Sequence, residues 1–365
     1  MDLFQQMVEM GHERVLFCSN PDVGLEAIIA VHSNVLGPGL GGVRMWPYSS
    51  TEEAFIDVLR LSRGMTYKAA AAGLNLGGAK AVIIGDAKKD KSEALLRAFG
   101  QYVESLGGLY ITAEDVGTDM EDMEVIQHET RWVTGVSPLQ GGGGDPSPVT
   151  AFGVLQGMKA AVHHKLGDDS LKGRCVAIQG LGSVGYHLAK YLKEEGAKIV
   201  GADIDAEATA LASGELGVEI VPTAEILEVE CDVLAPCALG AVLNDKTIPK
   251  LRCTIVAGGA NNQLADDRHG QDLHDRGILY APDFVGNAGG LINVYNELVG
   301  YNRETAMRQA RAIYANMLRV FEISRTQSIP THVAADRLAE ERIARIKGLG
   351  ERHWVRTVRR RSAEL

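Results

Sequence analysis

The chain has 365 residues, a formal net charge of −10, 45% hydrophobic residues and 42 glycines. That length suits two domains better than one, and the excess of acid argues against a nucleic-acid or anionic-membrane partner. The five cysteines (Cys18, Cys175, Cys231, Cys237, Cys253) are scattered without zinc spacing, so reduced thiols in a cytoplasmic protein and no metal site are expected. The first residues lack a basic stretch followed by an apolar core, so no export signal is expected, and apolar runs are too short to span a bilayer.

In chain order, residues 2–10 predict a short amphipathic helix, and 14–18 and 25–32 predict strands. Residues 36–44 (LGPGLGGVR) form a glycine-dense turn, which suits either a hairpin or a close approach of backbone to a ligand. Ser50 and Glu53 have capping-box spacing, opening a helix with Phe55, Val58, Leu59 and Ser62 on one face and Lys68 near its end. Strands are expected at 81–84 and 109–112, with a helix at 92–106 between them. Asp119 is expected to cap a helix running to Thr130.

The segment 63–84 stands out. It carries Lys68 and Lys80 among Ala69–Ala72, Gly73, Gly77, Gly78 and Ala79. Lysine is rarely buried unless paired, so two lysines set in a thin backbone suggest the cationic floor of a cleft for a small anion such as an α-carboxylate. A desolvated lysine repelled by a second cation has a depressed pKa and can serve as a base near neutral pH. Asp115, at the end of the 109–112 strand, is a candidate proton shuttle or a helix-side cap.

Residues 139–149 (LQGGGGDPSPV) form the clearest boundary, suited to a hinge. Beyond it β and α patterns alternate, as in a doubly wound parallel sheet. Gly180-Leu181-Gly182-Ser183-Val184-Gly185 fits GxGxxG, directly after a strand and before a helix, the context in which that pattern binds a dinucleotide pyrophosphate. Asp203 ends the next strand, where a carboxylate accepts from ribose hydroxyls and repels a 2′-phosphate, so NAD is favoured over NADP. Asn261 and Asn262 follow a later strand and could bond a carboxamide and an amino group or form Asx turns. A final charged helix is expected at 334–346, packing back on the first domain.

The runs GGVRMWPY, RGMTYKAAAAGLNLGGAKAVIIGD, YITAEDVGT, DPSPVT, CDVLAPCALGAVLNDKTIP, NNQL, DRHG and APDFVGNAGGLINV resemble the Glu/Leu/Phe/Val amino-acid dehydrogenase family from near the N-terminus to about Ile346. The resemblance implies reversible, NAD-dependent oxidative deamination of a branched-chain L-amino acid, leucine foremost. It also implies a substrate and oligomerisation domain (1–138, with 331–365 returning to it), a hinge (139–149) and a Rossmann-type NAD domain (150–330). By motif, Lys68 would hold the substrate carboxylate beside Gly41, Gly42 and Met65. Lys80 would activate water, Asp115 would shuttle protons, and Asn262 would lie near the amine. Leu40, Ala113, Leu291 and Val294 would line the side-chain pocket. Thr150, Ala238 and Asn261 would position the nicotinamide, and Gly180, Gly182, Ser183, Val184, Gly185 and Asp203 the rest of NAD.

Members assemble as homo-oligomers, octamers in the branched-chain group, although a dimer is compatible. Leu291 stands where that group has the smaller Val, Asp145 where it has Asn, and Gly185 where it has Ala. The tail from Lys347, with four arginines at 356–361, is unlike the family. The alternatives are a relative acting on phenylalanine, tryptophan or valine, and a non-catalytic NAD-binding sensor.

Overall fold

A computed structural model describes residues 2–348; the arginine-bearing tail lies outside the described residues. The chain divides into two compact units. Unit 1 holds residues up to Gly144, Val294–Asn302, and those from Ala339 on, while unit 2 holds Asp145–Asn293 and Arg303–Leu338.

Unit 1 contains α1 (Leu3–Glu9), β1 (Arg14–Asn20), β2 (Leu25–Ser33), β3 (Gly39–Leu40), β4 (Val43–Trp46), α2 (Thr51–Ala71), β5 (Gly77–Ile84), α3 (Glu93–Ser105), β6 (Tyr110–Ile111) and α4 (Met120–Gln127). Its mixed sheet runs β1-β2-β5-β3-β6, with β4 also paired to β5. The glycine-dense turn expected at 36–44 is instead two short strands, and Lys80 lies inside β5 rather than before it. Glycine is needed there because a Cβ on Gly77 would stand 2.0 Å from the Ser33 carbonyl oxygen, and one on Gly78 2.1 Å from the Thr66 backbone nitrogen of α2. The apolar face of α2 buries Phe55, Val58 and Leu59 against Ile28, Ala30 and Val82. Its cap departs from the expected box: Ser50 Oγ accepts the Glu53 N–H, but Glu53 reaches back to the N–H and hydroxyl of Ser49.

Beneath α2 His32 is buried and His12 half-buried, neither with a counter-ion among the described residues. His12 Nε2 lies 2.8 Å from Ser62 Oγ, His32 Nδ1 2.8 Å from Thr66 Oγ1, and the rings meet edge-on with centroids 4.9 Å apart. Burial, then the neighbouring His12 and Arg63, push His32 down to about 3, and burial pulls His12 to about 4. A folded-state pKa below the unfolded one means the unfolded chain binds the extra proton. This contribution to stability is therefore complete above about pH 6.5 and is lost as pH falls from there towards the folded values. Each fully shielded ring removes about 1.4 kcal/mol per pH unit in that window, and His12, which water reaches, removes less. Melting curves from pH 7.5 to 4.5 should accordingly fall less steeply for His32→Asn than for the parent; parallel curves would remove this account.

Unit 2 contains α5 (Ser147–Leu166), β7 (Cys175–Gln179), α6 (Ser183–Glu194), β8 (Lys198–Ala202), α7 (Ala206–Leu211), β9 (Glu219–Ile220), β10 (Cys231–Pro236), β11 (Cys253–Val256), α8 (Arg268–Asp275), β12 (Leu279–Tyr280) and α9 (Asp283–Gly286). The chain ends in α10 (Gly289–Leu298), α11 (Arg303–Arg311), α12 (Ile313–Gln327) and α13 (Thr331–Lys347). The sheet order is β12-β11-β10-β7-β8-β9, parallel throughout, a Rossmann-type arrangement. The two-domain α/β class expected from sequence is thus present.

Two stretches fall differently from expectation. Residues 294–302 belong with unit 1 rather than the nucleotide-binding unit, and the first turns of α13, to Leu338, belong with unit 2. Glu297 gives a physical reason for the first. It is buried, and its two carboxylate oxygens accept the N–H groups of Gly135 (2.8 Å) and Gly143 (2.9 Å), so α10 holds the segment that leads to the unit boundary. All five cysteines are free thiols, and among the described residues no helix is long and apolar enough to cross a membrane.

Candidate active site

Lys80 sits mid-strand in β5, 5% exposed. Its Nζ is in direct contact with Asp115 Oδ2, and Arg44 Nε donates to the other oxygen, Oδ1, at 2.9 Å. The Thr118 hydroxyl accepts the Asp115 N–H at 2.9 Å and donates to the Val43 carbonyl at 2.8 Å, tying the loop after β6 to β4. Burial drives the Lys80 pKa below its usual value despite the attraction of Asp115, and Arg44 pushes in the same direction as burial. For Asp115 burial raises the pKa, but Lys80 and Arg44 together outweigh it and hold the group below the ordinary carboxylate range. A buried amine that readily sheds its proton, beside a carboxylate that stays ionised, is an acid–base pair.

Of the other carried-over residues of unit 1, Gly41 and Gly42 lie directly against the strand and loop that hold this pair. A Cβ on Gly42 would stand 3.0 Å from Asp115 Cβ, and one on Gly41 1.8 Å from the Ala79 carbonyl oxygen and 3.2 Å from Met65 Cγ. Leu40 and Ala113 are buried on β3 and just past β6. Lys68 is half-buried on the last turn of α2. Sequence reasoning did not pick out Arg342 of α13, whose guanidinium donates to the carbonyls of Leu74 (2.6 Å) and Gly73 (3.0 Å) and to Asn75 Oδ1 (3.1 Å). It thereby caps the helix that carries Lys68 and fixes the turn leading to Lys80. Arg44 was also missed, although it stands in the GGVR run; no local signal in the sequence pairs it with Asp115 across β4 and the β6 loop.

In unit 2, Gly180 has φ +97°, and a Cβ there would strike Ala238 at 2.7 Å. On Gly185 a Cβ would lie 1.9 Å from the Gly180 carbonyl oxygen, whereas one on Gly182 would meet nothing within 4 Å. The α6 N-terminus behind Gly182 has no side-chain cap, and Ser183 is exposed with Val184 half-buried beside it. A tight turn, an open face and uncapped N–H groups fit a pyrophosphate. Asp203, after β8, accepts the N–H of Leu181 (2.6 Å) and of Asp205 (2.9 Å), joining the glycine turn to the strand end.

Asn261 and Asn262 are exposed, and Asn262 takes the left-handed conformation with φ +52°. Buried Asn287, another residue not singled out as a site, donates to Asn261 Oδ1 at 2.8 Å and keeps its own Oδ1 without a hydrogen-bond partner among the described residues. That combination suits a carboxamide. Thr150, at the start of α5, donates to the Pro146 carbonyl at 3.0 Å. Leu291 is buried on α10 in unit 2, and half-buried Val294, on the same helix, belongs to unit 1.

Asp245, His269 and Asp272 place one ligand-type atom each within 4.8 Å of the others. His269 Nδ1 accepts the Asp266 N–H at 3.0 Å, so the ring proton sits on Nε2, 3.5 Å from Asp245 Oδ1. With Nδ1 already accepting a backbone N–H, the ring offers no lone pair of that nitrogen to a metal, and neither carboxylate is buried.

Residues 12–132 match the family model for the Glu/Leu/Phe/Val dehydrogenase dimerisation domain, and 141–208 and 203–347 match that for Glutamate/Leucine/Phenylalanine/Valine dehydrogenase. The chain belongs to the Glu/Leu/Phe/Val dehydrogenase family. It is 57% identical over 343 residues to a leucine dehydrogenase from Thermoactinomyces intermedius, covering 94% of each chain. It is 49% identical to a phenylalanine dehydrogenase from Lysinibacillus sphaericus, covering 94% of this chain and 91% of that one. A solved L-tryptophan dehydrogenase from Nostoc punctiforme superposes with a TM-score of 0.85 at 46% identity, covering 94% and 99% of the two chains. Membership makes this protein an oxidoreductase acting on amino acids, and Glu/Leu/Phe/Val dehydrogenases use a nicotinamide cofactor.

Proposed function

We propose that the protein catalyses the reversible, NAD-dependent oxidative deamination of a branched-chain L-amino acid, leucine first, to the 2-oxo acid and ammonium. The observation that carries this reading is the buried Lys80–Asp115 pair, because binding a dinucleotide alone requires no base. Similarity to a leucine dehydrogenase at 57% identity supports the substrate class. The apolar character of Leu40, Ala113, Leu291 and Val294 supports it too, since a glutamate side chain would need a cation.

Neutral Lys80 takes a proton from water as that water attacks the substrate's iminium carbon, and Asp115 relays protons to and from the departing amine. Lys68 holds the α-carboxylate by charge, with Gly41, Gly42 and Met65 beside it, and Asn262 faces the amine. When bound, the nicotinamide supplies the hydride acceptor. Thr150, Ala238, Asn261 and the 180–185 turn hold the dinucleotide, and Asp203 favours NAD over NADP by repelling a 2′-phosphate. Residues up to 144 with 294–302 and 339–348 form the substrate domain, 145–293 with 303–338 the NAD domain, and 139–149, which cross from one to the other, the hinge. The protein works as a cytoplasmic homo-oligomer, octameric or dimeric.

The test is kcat/KM for a panel of apolar L-amino acids with NAD and with NADP. Leucine, valine and isoleucine should lead with NAD, and Asp203→Ala should raise KM for NAD about tenfold or more while changing kcat little. Leu291 in place of Val shifts the order within the panel by about 1–3 kcal/mol of discrimination, enough to reorder substrates without altering the chemistry. Phenylalanine or tryptophan in first place would move the protein to the aromatic branch, and no reduction of NAD with any amino acid would leave the non-catalytic sensor.

A further inference from the structure

The base reading leaves a difficulty that Arg44 resolves. A lysine and a carboxylate buried together form an ion pair, and each stabilises the charge of the other. Burial weakens the hold of Lys80 on its proton, but Asp115 alone beside it works against that and makes it a poorer base. When Lys80 did lose the proton, the desolvated Asp115 would be inclined to take one up and keep it, which would end its relay. Both failures have one remedy, a second cation on the carboxylate that cannot itself titrate. Arginine meets that requirement because its guanidinium stays charged.

We propose that Arg44 is a positioning residue for the deamination reaction, holding Asp115 from the side opposite Lys80 so that Asp115 rests ionised between the protons it relays while Lys80 cycles between amine and ammonium. The inference rests on the acid–base reading of Lys80 and Asp115 given above. Arg44 Nε donates to Asp115 Oδ1 at 2.9 Å, which leaves Oδ2 to Lys80. The other limb of the same guanidinium, NH1, donates to Asp57 Oδ2 at 3.0 Å. Asp57 is itself fixed by the Tyr48 hydroxyl at 2.7 Å and by Arg60 at 2.9 Å. The planar fork, projecting from β4, is therefore held at both ends, by the loop after β6 and by α2.

Burial divides the cluster in the way this role needs. The Lys80 side chain is 6% exposed and that of Arg44 21%. The outer side of Arg44 lines a surface cavity of about 560 Å³ with Trp46, Tyr48, Ile56 and Val116. Water reaches the guanidinium from that side and hydrates a permanent charge there, while the amine behind it stays dry.

The other elements around the pair add little that titrates near neutral pH. On β2, Ala30 lies opposite Lys80. From β6, Tyr110 is buried, bonded to Thr112, and its phenol pKa is pushed well up by burial. From α2 come Asp57 and Arg60, already paired with each other. Lys68 of α2 and Glu114, next in the chain to Asp115, add charge nearby, and Arg44 is the cation that, with Lys80, bonds Asp115 directly, so its removal changes the balance between the two.

The test compares Arg44→Gln, Arg44→Lys and Asp57→Asn with the parent. With Arg44 gone, Asp115 is left to Lys80 and pulls its pKa up. The acid limb of kcat/KM should move to higher pH by about one unit in Arg44→Gln, with kcat at neutral pH down about tenfold or more and KM for NAD little changed. Arg44→Lys restores the charge but cannot span Asp115 and Asp57 together, so it should recover part of the shift. Asp57→Asn removes an anion that raises the Lys80 pKa and leaves an amide oxygen for Arg44, so its limb should move slightly the other way, to lower pH.

A readout without turnover separates this inference from the functional reading. The rate of carbamylation of Lys80 by cyanate, followed by peptide mass spectrometry across pH, should move alkaline with the kinetic limb in Arg44→Gln. An active parent with superimposable profiles for all three variants would overturn the role of Arg44 alone. A parent that reduces no NAD with any amino acid would overturn the functional reading, and the Lys80 labelling profile would still decide whether Arg44 tunes the pair. Should Arg44→Gln fail to fold, Arg44→Lys and Asp57→Asn carry the same comparison.

Discussion

Lys80→Ala is expected to lower kcat by about 10²–10⁴-fold while leaving the affinity for NAD nearly unchanged, the size of effect that loss of a general base produces. The separation follows from where the groups lie: Lys80 is in β5 of unit 1, and the glycine turn and Asp203 are in unit 2. Loss of the amine should cost less stability than breaking a buried ion pair ordinarily does, because Arg44 still holds Asp115 Oδ1 at 2.9 Å. Kinetics at saturating leucine, a fluorescence titration with NADH and a thermal melt together check all three statements. Equal losses of turnover and of NAD affinity would mean that the substitution had disturbed the molecule broadly, and the assignment of the base would fall.

The parts of this arrangement that sequence made legible are those set by local rules. GxGxxG between a strand and a helix, and Asp119 capping α4, depend on neighbours within a few residues, and each appears where the pattern placed it. Lys80 could be read as a buried amine because its neighbours are small. The reason for the smallness was misjudged, however. It looked like room for a ligand, yet Gly77 and Gly78 face the Ser33 carbonyl and the Thr66 amide within about 2 Å of where a Cβ would stand. The thin backbone lets α2, β2 and β5 close together, and burial of Lys80 is the consequence. Arg44, Arg342 and Glu297 stayed hidden for a different reason. Each acts on groups far along the chain, Arg44 on Asp115 and Glu297 on Gly135 and Gly143, and no periodicity encodes a contact of that range.

The glycines supply the sharpest contrast of outcomes from one chemical change. Gly41→Ala would place a methyl 1.8 Å from the Ala79 carbonyl oxygen and 2.9 Å from its carbon, atoms of the strand next to Lys80. Backbone cannot swing aside as a long side chain can, so β3 and β5 must part. The expected loss is on the order of 3 kcal/mol or more. In a protein of this size that is a fall in melting temperature of roughly 4 °C or more. Turnover should fall further than the melt suggests, because moving Ala79 moves the amine that must meet the substrate within a fraction of an ångström. Gly64→Ala, in the exposed middle of α2, meets nothing within 4 Å and replaces a poor helix former by the best one. It should raise stability by about 1 kcal/mol and leave kcat alone. If the two variants melted alike, steric closure at Gly41 could not be what seats Lys80, and the link drawn from a crowded strand to a dry, reactive amine would have to be abandoned.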